Sequence, residues 1–356
     1  MTALELCSDV SVARAADLIR KGEVVGFPTE TVYGLGADAL NPRAVMKIFA
    51  AKGRPGDNPL IVHIADINAL RPLVASAPSE TALRLASAFW PGPLTMLFPR
   101  GESVPDCVTA GLDTVGIRMP ANKWARMLIE KSGRPIAAPS ANRSGRPSPT
   151  TARHVYEDMD GRIPLILDGG PCDVGLESTV LDVTGDVPRV LRPGGVTPEM
   201  IAAVAGGVDV DESVMRPLRD GERPRSPGMK YRHYAPNGSV TIFEGAPDAV
   251  AAAIRARYDA SAAPALILAL EEHLPLYGDR QKLSLGADAA EAANRLFEAL
   301  READAYGAAV ILSEAVDPSG IGLAVMNRLG RAAGFNVERA GQGTAGALPP
   351  HPRQRD

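Results

Sequence analysis

The sequence predicts an α/β protein of two domains, a mixed sheet followed by a smaller parallel one. Three observations carry this. Through the first two-thirds, short apolar segments alternate with amphipathic ones. From Asp211 to Asn237 the texture breaks into a charged stretch with four prolines and little apolar periodicity. Beyond it a β-α rhythm resumes. At 356 residues the chain is also too long for one ordinary core.

The elements follow in order. A strand over Val24–Phe27 enters a hydroxyl-rich turn, Thr29-Glu30-Thr31-Val32-Tyr33. Asn41 as N-cap and Pro42 at the first helical position start a helix that ends on Lys52-Gly53-Arg54-Pro55. Asp57-Asn58-Pro59 then turns the chain into the apolar strand Leu60–Ile64, which contains His63. Helices over Glu80–Phe89, Lys123–Glu130 and Thr151–Asp158 alternate with strands over Leu94–Phe98, Val115–Met119, Ile136–Ala138, Pro164–Leu167, Ser178–Val183 and Arg189–Leu191. Thr150 or Thr151 caps the third of these helices. Short strands flanked by Pro and Gly point to a mixed sheet with irregular connections. In the second domain, strands over Val240–Phe243, Ala265–Leu270 and Ala308–Leu312 alternate with helices over Asp248–Arg257, Asp288–Ala303 and Ile321–Ala333. The long helix places Leu296, Phe297 and Leu300 on one face. The expected boundaries are 1–210, a linker at 211–237, 238–335, and a disordered Gly/Pro-rich tail at 336–356.

Composition excludes several classes. Hydrophobic residues make up 45% and charged residues 22%, with no apolar run long enough to span a bilayer. The N-terminus does not read as a secretory signal, and Cys7, Cys107 and Cys172 have neither zinc spacing nor an even disulfide framework, so a cytoplasmic protein is expected. Residues 1–235 hold 27 basic and 27 acidic side chains, and residues 236–356 hold 11 and 15. Without a basic surplus, the chain is not built to hold nucleic acid through phosphate contacts alone.

Several polar clusters carry the chemistry. There is no P-loop, and the loose G-x-G-x-x-A match at Gly34–Ala39 fails because its helix starts only at Pro42. Lys52 and Arg54, joined by a glycine, can converge on one anion or simply form a basic helix end. His63 alone reads more readily as a buried histidine satisfied by one partner, and Thr29 and Thr31 as strand residues whose hydroxyls share a face. The run from Ala138 to Thr150 follows a buried strand with a density of donors that a polar turn does not explain. Thr114 and Arg118 lie on the same side of one strand, and that arginine needs an anionic partner, a ligand carboxylate or an internal Asp or Glu. Glu177-Ser178-Thr179 and Arg192-Pro193-Gly194-Gly195 add hydroxyls, a cation and a flexible turn. No Ser/His/Asp or Cys/His nucleophile set is evident.

Taken together, FPTETVYGLGADA, the K-G-R-P and N-P-L-x-V-H runs, P-S-A-N-x-S-G-x-P-S-P-T and L-R-P-G resemble the threonylcarbamoyl-AMP synthase family, with its YrdC-type domain. S-P-G-M-K-Y-R-H-Y-A-P followed by a small α/β domain resembles that family's two-domain branch. The resemblance covers residues 11–335. It implies a YrdC-like twisted mixed sheet whose helices form a concave pocket, plus a Rossmann-like parallel domain. It also implies a reaction: L-threonine, bicarbonate or carbon dioxide, and ATP give threonylcarbamoyl-AMP and pyrophosphate. The product serves a tRNA threonylcarbamoyl transferase complex that modifies the adenosine beside the anticodon, and a weak tRNA contact is a further expectation.

By the same resemblance, Lys52, Arg54, Ser140 and Asn142 form the central ATP-handling group. Asn58, Thr114, Ser148 and Arg192 are further nucleotide contacts, joined by Tyr231 and Tyr234 of the linker. Thr31, His63, Arg118, Ala138 and Ser178 form the threonine pocket, with Arg118 on the carboxylate. Magnesium is expected with ATP, held by few or no protein ligands. The linker reads as a lid, with Gly228 as its bend, or as an inert spacer. Two rival readings are an RNA-binding module and another carbamoyl- or acyl-adenylate-forming enzyme on the same fold.

Overall fold

The computed structural model describes residues 1–216 and 234–341. Strands β1 (Ala3–Leu6), β2 (Val25–Phe27), β3 (Gly34–Asp38), β4 (Ile61–His63), β5 (Leu94–Pro99), β6 (Thr114–Arg118), β7 (Ile136–Ala138), β8 (Leu165–Asp168), β9 (Thr179–Asp182), β10 (Arg189–Arg192) and β11 (Asp209–Val210) form one mixed sheet in the order β1-β8-β2-β3-β7-β4-β6-β5-β9-β10-β11. Its helices are α1 (Asp9–Arg20), α2 (Pro42–Lys52), α3 (Glu80–Phe89), α4 (Asp106–Thr109), α5 (Lys123–Ser132), α6 (Ala152–Met159) and α7 (Pro198–Ala205). Alternation along the strands divides the core. Leu165, Leu167, Ile136 and Ala138 pack with α1 and α5, whereas Ile166 and Ala137 join the α2 and α6 side.

The helix starts follow local chemistry. Asn41 Oδ1 accepts from the Arg43 and Ala44 amides, and Thr151 caps α6 by accepting from the His154 amide. Strand β3 was not expected from the sequence, because its glycines give no strand signal. They are there for the Phe27 ring: a Cβ at Gly36 would lie 2.7 Å from Phe27 Cε1, and one at Gly34 2.8 Å.

A second sheet holds β12 (Ser239–Glu244), β13 (Ala265–Ala269), β14 (Lys282–Ser284), β15 (Val310–Glu314) and β16 (Val337–Arg339), all parallel, in the order β14-β13-β15-β12-β16. Helices α8 (Pro247–Asp259), α9 (Ala289–Tyr306) and α10 (Gly322–Ala333) accompany it, and Leu296, Phe297 and Leu300 of α9 are fully buried. Strand β16 lies where the sequence suggested the start of a tail; its pairing with β12 supplies the order that composition did not indicate. The expected linker likewise begins with a formed turn at Glu212–Val214, where Ser213 and Val214 are buried. Among the described residues, no helix is long and apolar enough to cross a membrane.

Candidate active site

A cleft of about 710 Å³, its open mouth included, lies against β4, β6 and β7. The strand register decides which side chains meet there. β4 and β6 are parallel, with His63 opposite Arg118, while β7 is antiparallel to β4, with Ala138 opposite Ile61. The loop leaving β7 therefore starts at the far end of β4 from His63. The cleft runs along the strands, with His63 and Arg118 toward one end and the loop after Ala138 toward the other.

One wall is the loop after Ala138. It is pinned beside β3 by Leu35 N–H donating to the Pro139 carbonyl and Ala141 N–H to the Tyr33 carbonyl. Helix α2 ends at Gly53, whose φ of 67° is the left-handed conformation that glycine adopts readily. Lys52 then turns inward and is 3% exposed. Its Nζ donates to the carbonyls of Ser140 (2.5 Å) and Asn142 (2.7 Å) and to Asn142 Oδ1 (3.2 Å). Ser140 Oγ donates to the same Oδ1 at 2.5 Å, and Asn142 Nδ2 donates to the Arg143 and Arg146 carbonyls. Burial, with the Arg54 charge beside it, pushes the Lys52 pKa well below its usual range. Arg54 also lines the cleft, its guanidinium 5.6 Å from the Phe49 ring centroid.

The opposite end is small and enclosed. Arg118 Nη1 donates to Thr31 Oγ1 at 2.8 Å, its Nε to the Gly92 carbonyl at 3.2 Å, and its Nη2 lies 2.6 Å from Glu30 Oε1. Thr31 Oγ1 is 2.8 Å from Thr29 Oγ1, so the two hydroxyls do share a side. Glu30 answers the question of what pairs with Arg118. Burial alone would raise its carboxyl pKa, but the Arg118 charge and hydrogen bond outweigh that and hold it low. His63 is buried, with Nδ1 3.3 Å from the Ile136 carbonyl; burial and Arg118 push its pKa down to about 3.

Arg192 closes a third side. Its Nε and Nη2 donate to the Ser178 carbonyl at 3.1 and 2.9 Å, and Ser178 Oγ is 2.8 Å from Thr95 Oγ1. Burial and the Arg328 charge lower Arg192 to about 10. Tyr234 completes the lining at φ 65°, unusual for a non-glycine residue.

Thr31, Lys52, Arg54, His63, Arg118, Ala138, Ser140, Asn142, Ser178, Arg192 and Tyr234 are thus brought into one cleft. Three expected contacts do not line it. Thr114 sits at the other end of β6 from Arg118 and lines a neighbouring pocket of about 290 Å³ that shares Ile61 with the cleft. Asn58 is fully buried, with neither amide atom hydrogen-bonded. Ser148 is turned to Glu177, donating to Oε1 at 2.5 Å. Tyr231 and Gly228 lie outside the described residues. The sequence reading gave no role to Glu30 or Glu177, whose only signal was a carboxylate beside hydroxyl residues, Thr29 and Thr31 for Glu30 and Ser178 for Glu177. Among the described residues, no group of three or more His, Cys, Asp or Glu could hold a metal ion.

The small domain closes on this site. Arg328 of α10 pairs with Glu177, Arg301 of α9 with Asp158, and Asn294 Nδ2 donates to the Cys172 and Asp173 carbonyls at 2.9 Å. Val32 and Leu176 share a core with Tyr234 and the small-domain residues Phe297 and Leu329.

Comparison with known proteins agrees along most of the chain. The Sua5, YciO and YrdC family, described as Telomere recombination, matches residues 17–194; that described as Threonylcarbamoyl-AMP synthase, C-terminal domain, matches residues 196–334. The Threonylcarbamoyl-AMP synthase of Bacillus subtilis (strain 168) is 50% identical over 335 residues, 93% of this chain and 95% of its own. The chain belongs to the threonylcarbamoyl-AMP synthase family. A further member, from Pyrococcus abyssi, is 48% identical over 326 residues, covering 91% of this chain and 94% of that protein. A crystal structure of Pyrococcus abyssi Sua5 complexed with L-threonine superposes with a TM-score of 0.89 at 47% identity, over 96% of this chain and 99% of that one. The two-domain α/β architecture is that of the family.

Proposed function

We propose that the protein is an L-threonylcarbamoyladenylate synthase, converting L-threonine, bicarbonate or carbon dioxide, and ATP to threonylcarbamoyl-AMP and pyrophosphate. One observation carries the reading: a single cleft joins a cationic loop wall, Lys52, Arg54, Ser140 and Asn142, to an enclosed polar end formed by Thr31, His63 and Arg118. The neutral amine of threonine adds to carbon dioxide and gives up a proton to water, forming N-carboxythreonine, and its carbamate oxygen attacks the α-phosphorus of ATP. The new O–P bond forms as the bond to pyrophosphate breaks, and the leaving group carries away the electron pair. Such a displacement requires alignment and charge neutralisation and no protein nucleophile.

Arg118 holds the amino-acid carboxylate. Glu30, Thr31 and the Gly92 carbonyl hold its guanidinium at that end of the cleft. His63 Nε2 offers an acceptor to the amino acid, Ser178 and the Ala138 backbone shape its end of the cleft, and Arg54, Arg192 and Tyr234 meet the nucleotide. Magnesium accompanies ATP. Glu177, the carboxylate among the described residues that line the cleft, is paired with Arg328, which fits an ion held by phosphate oxygens and water. The product passes to a tRNA threonylcarbamoyl transferase complex in the cytoplasm, with at most weak contact to tRNA.

The test is pyrophosphate release from ATP across a panel of amino acids, with and without bicarbonate. Release should require both threonine and bicarbonate, and Lys52→Met should lower it by on the order of 100-fold while the chain stays folded. Release indifferent to threonine would contradict the reading.

A further inference from the structure

Arg328 is fully buried yet does not line the cleft. Its Nε donates to Glu177 Oε2 at 2.8 Å, its Nη2 to the Glu177 carbonyl at 3.4 Å, and its Nη1 to Asn327 Oδ1 at 2.6 Å. Its guanidinium also lies 5.7 Å from the Tyr234 ring centroid, and that ring packs 5.1 Å from Phe297 of α9. Glu177 and Tyr234 both line the cleft, and Glu177 accepts the Ser148 hydroxyl. One small-domain side chain therefore touches two cleft residues and, through Glu177, the end of the polar loop.

We propose that Arg328 is a positioning residue through which the small domain sets the nucleotide side of the cleft. By fixing Glu177 and Tyr234 it holds the Ser148 end of the loop at residues 139–150. A second arginine, Arg301, ties the neighbouring segment, donating to the Pro147 carbonyl at 2.6 Å and to Asp158 Oδ2 at 2.7 Å. Asp158 in turn pairs with Arg146, whose carbonyl accepts from Asn142. The amino-acid side is held differently: Arg118 and His63 are fixed by Glu30, Thr31, Gly92 and Ile136, all within the large domain. Arg328 also reaches the carbonyl that precedes Ser178, but Arg118 and His63 keep their own supports, so loosening Arg328 disturbs the nucleotide more than the amino acid. This inference rests on the assignment of the loop wall to ATP made above.

The experiment uses the full chain with Arg328→Met, Arg328→Lys, Glu177→Gln and the Arg328→Met/Glu177→Gln double variant, and reads steady-state pyrophosphate release beside calorimetric titration with ATP. Arg328→Met should raise KM and Kd for ATP by at least about tenfold, with KM for threonine moving less than about twofold. Arg328→Lys, which keeps the charge but loses the planar fork, should fall between. Because Arg328 acts through Glu177, the double variant should be no worse than Arg328→Met alone. Equal rises in both KM values, additive losses, or unaltered ATP affinity would overturn the proposal. If Arg328→Met fails to fold by circular dichroism, Arg328→Lys decides by the same KM comparison. A wild-type chain without threonine-dependent release would remove the functional reading, while the ATP titrations would still decide the role of Arg328.

Discussion

The carbonyl of Ile136 has no proton to give, so His63 Nδ1 must carry one and donate it, leaving Nε2 as a fixed acceptor. Burial enforces this neutral form by lowering the pKa to about 3. Between pH 6.5 and 3 the unfolded chain binds a proton at this ring that the folded chain does not. The stability it contributes is therefore complete above about pH 6.5 and is lost as the pH falls toward 3, at up to about 1.4 kcal/mol per unit. Urea unfolding of wild type and His63→Gln from pH 7 to 4 checks this: the wild-type curve should fall more steeply by about that slope, and parallel curves would contradict it. His154, lowered to about 4 by burial, is common to both proteins and cancels. At this scale the sequence showed where the cations and hydroxyls lie but not their partners. The Arg118 partner, Glu30, sits 88 positions away in the chain, and only the fold brings it within 2.6 Å.

Among the elements, strand β3 depends on two glycines that lie against the Phe27 ring. Gly36→Ala would place a methyl group 2.7 Å from Phe27 Cε1 and 2.8 Å from Ile136 Cγ2. Overpacking of this kind costs about 1–3 kcal/mol. Phe27→Leu should cost less in the Gly36→Ala background than in the wild type, a coupling that a double-mutant cycle of urea melts measures. The sequence reading missed elements of both kinds, α1, α4 and α7 as well as β1, β3, β11, β14 and β16. Asn41-Pro42 marked the start of α2 because capping is local chemistry, whereas β3 and β16 are defined by their neighbours, Phe27 and β12. The direction of β7 was equally out of reach, since pairing direction is set by tertiary contacts.

In the whole molecule, the small domain is joined to the large one by buried arginines and a shared apolar cluster, and both connections converge on the cleft. The sequence marked a boundary near Asp211 but gave no sign of this convergence, because each pair unites residues more than 140 positions apart. What the assembled cleft can do is hold a triphosphate against an amino acid so that a carbamate oxygen meets phosphorus. Mass spectrometry of the product made from ATP, threonine and ¹³C-bicarbonate tests that most directly. The account predicts threonylcarbamoyl-AMP carrying a single ¹³C at the carbamoyl carbon. AMP alone, or an adenylate of threonine without the label, would contradict it.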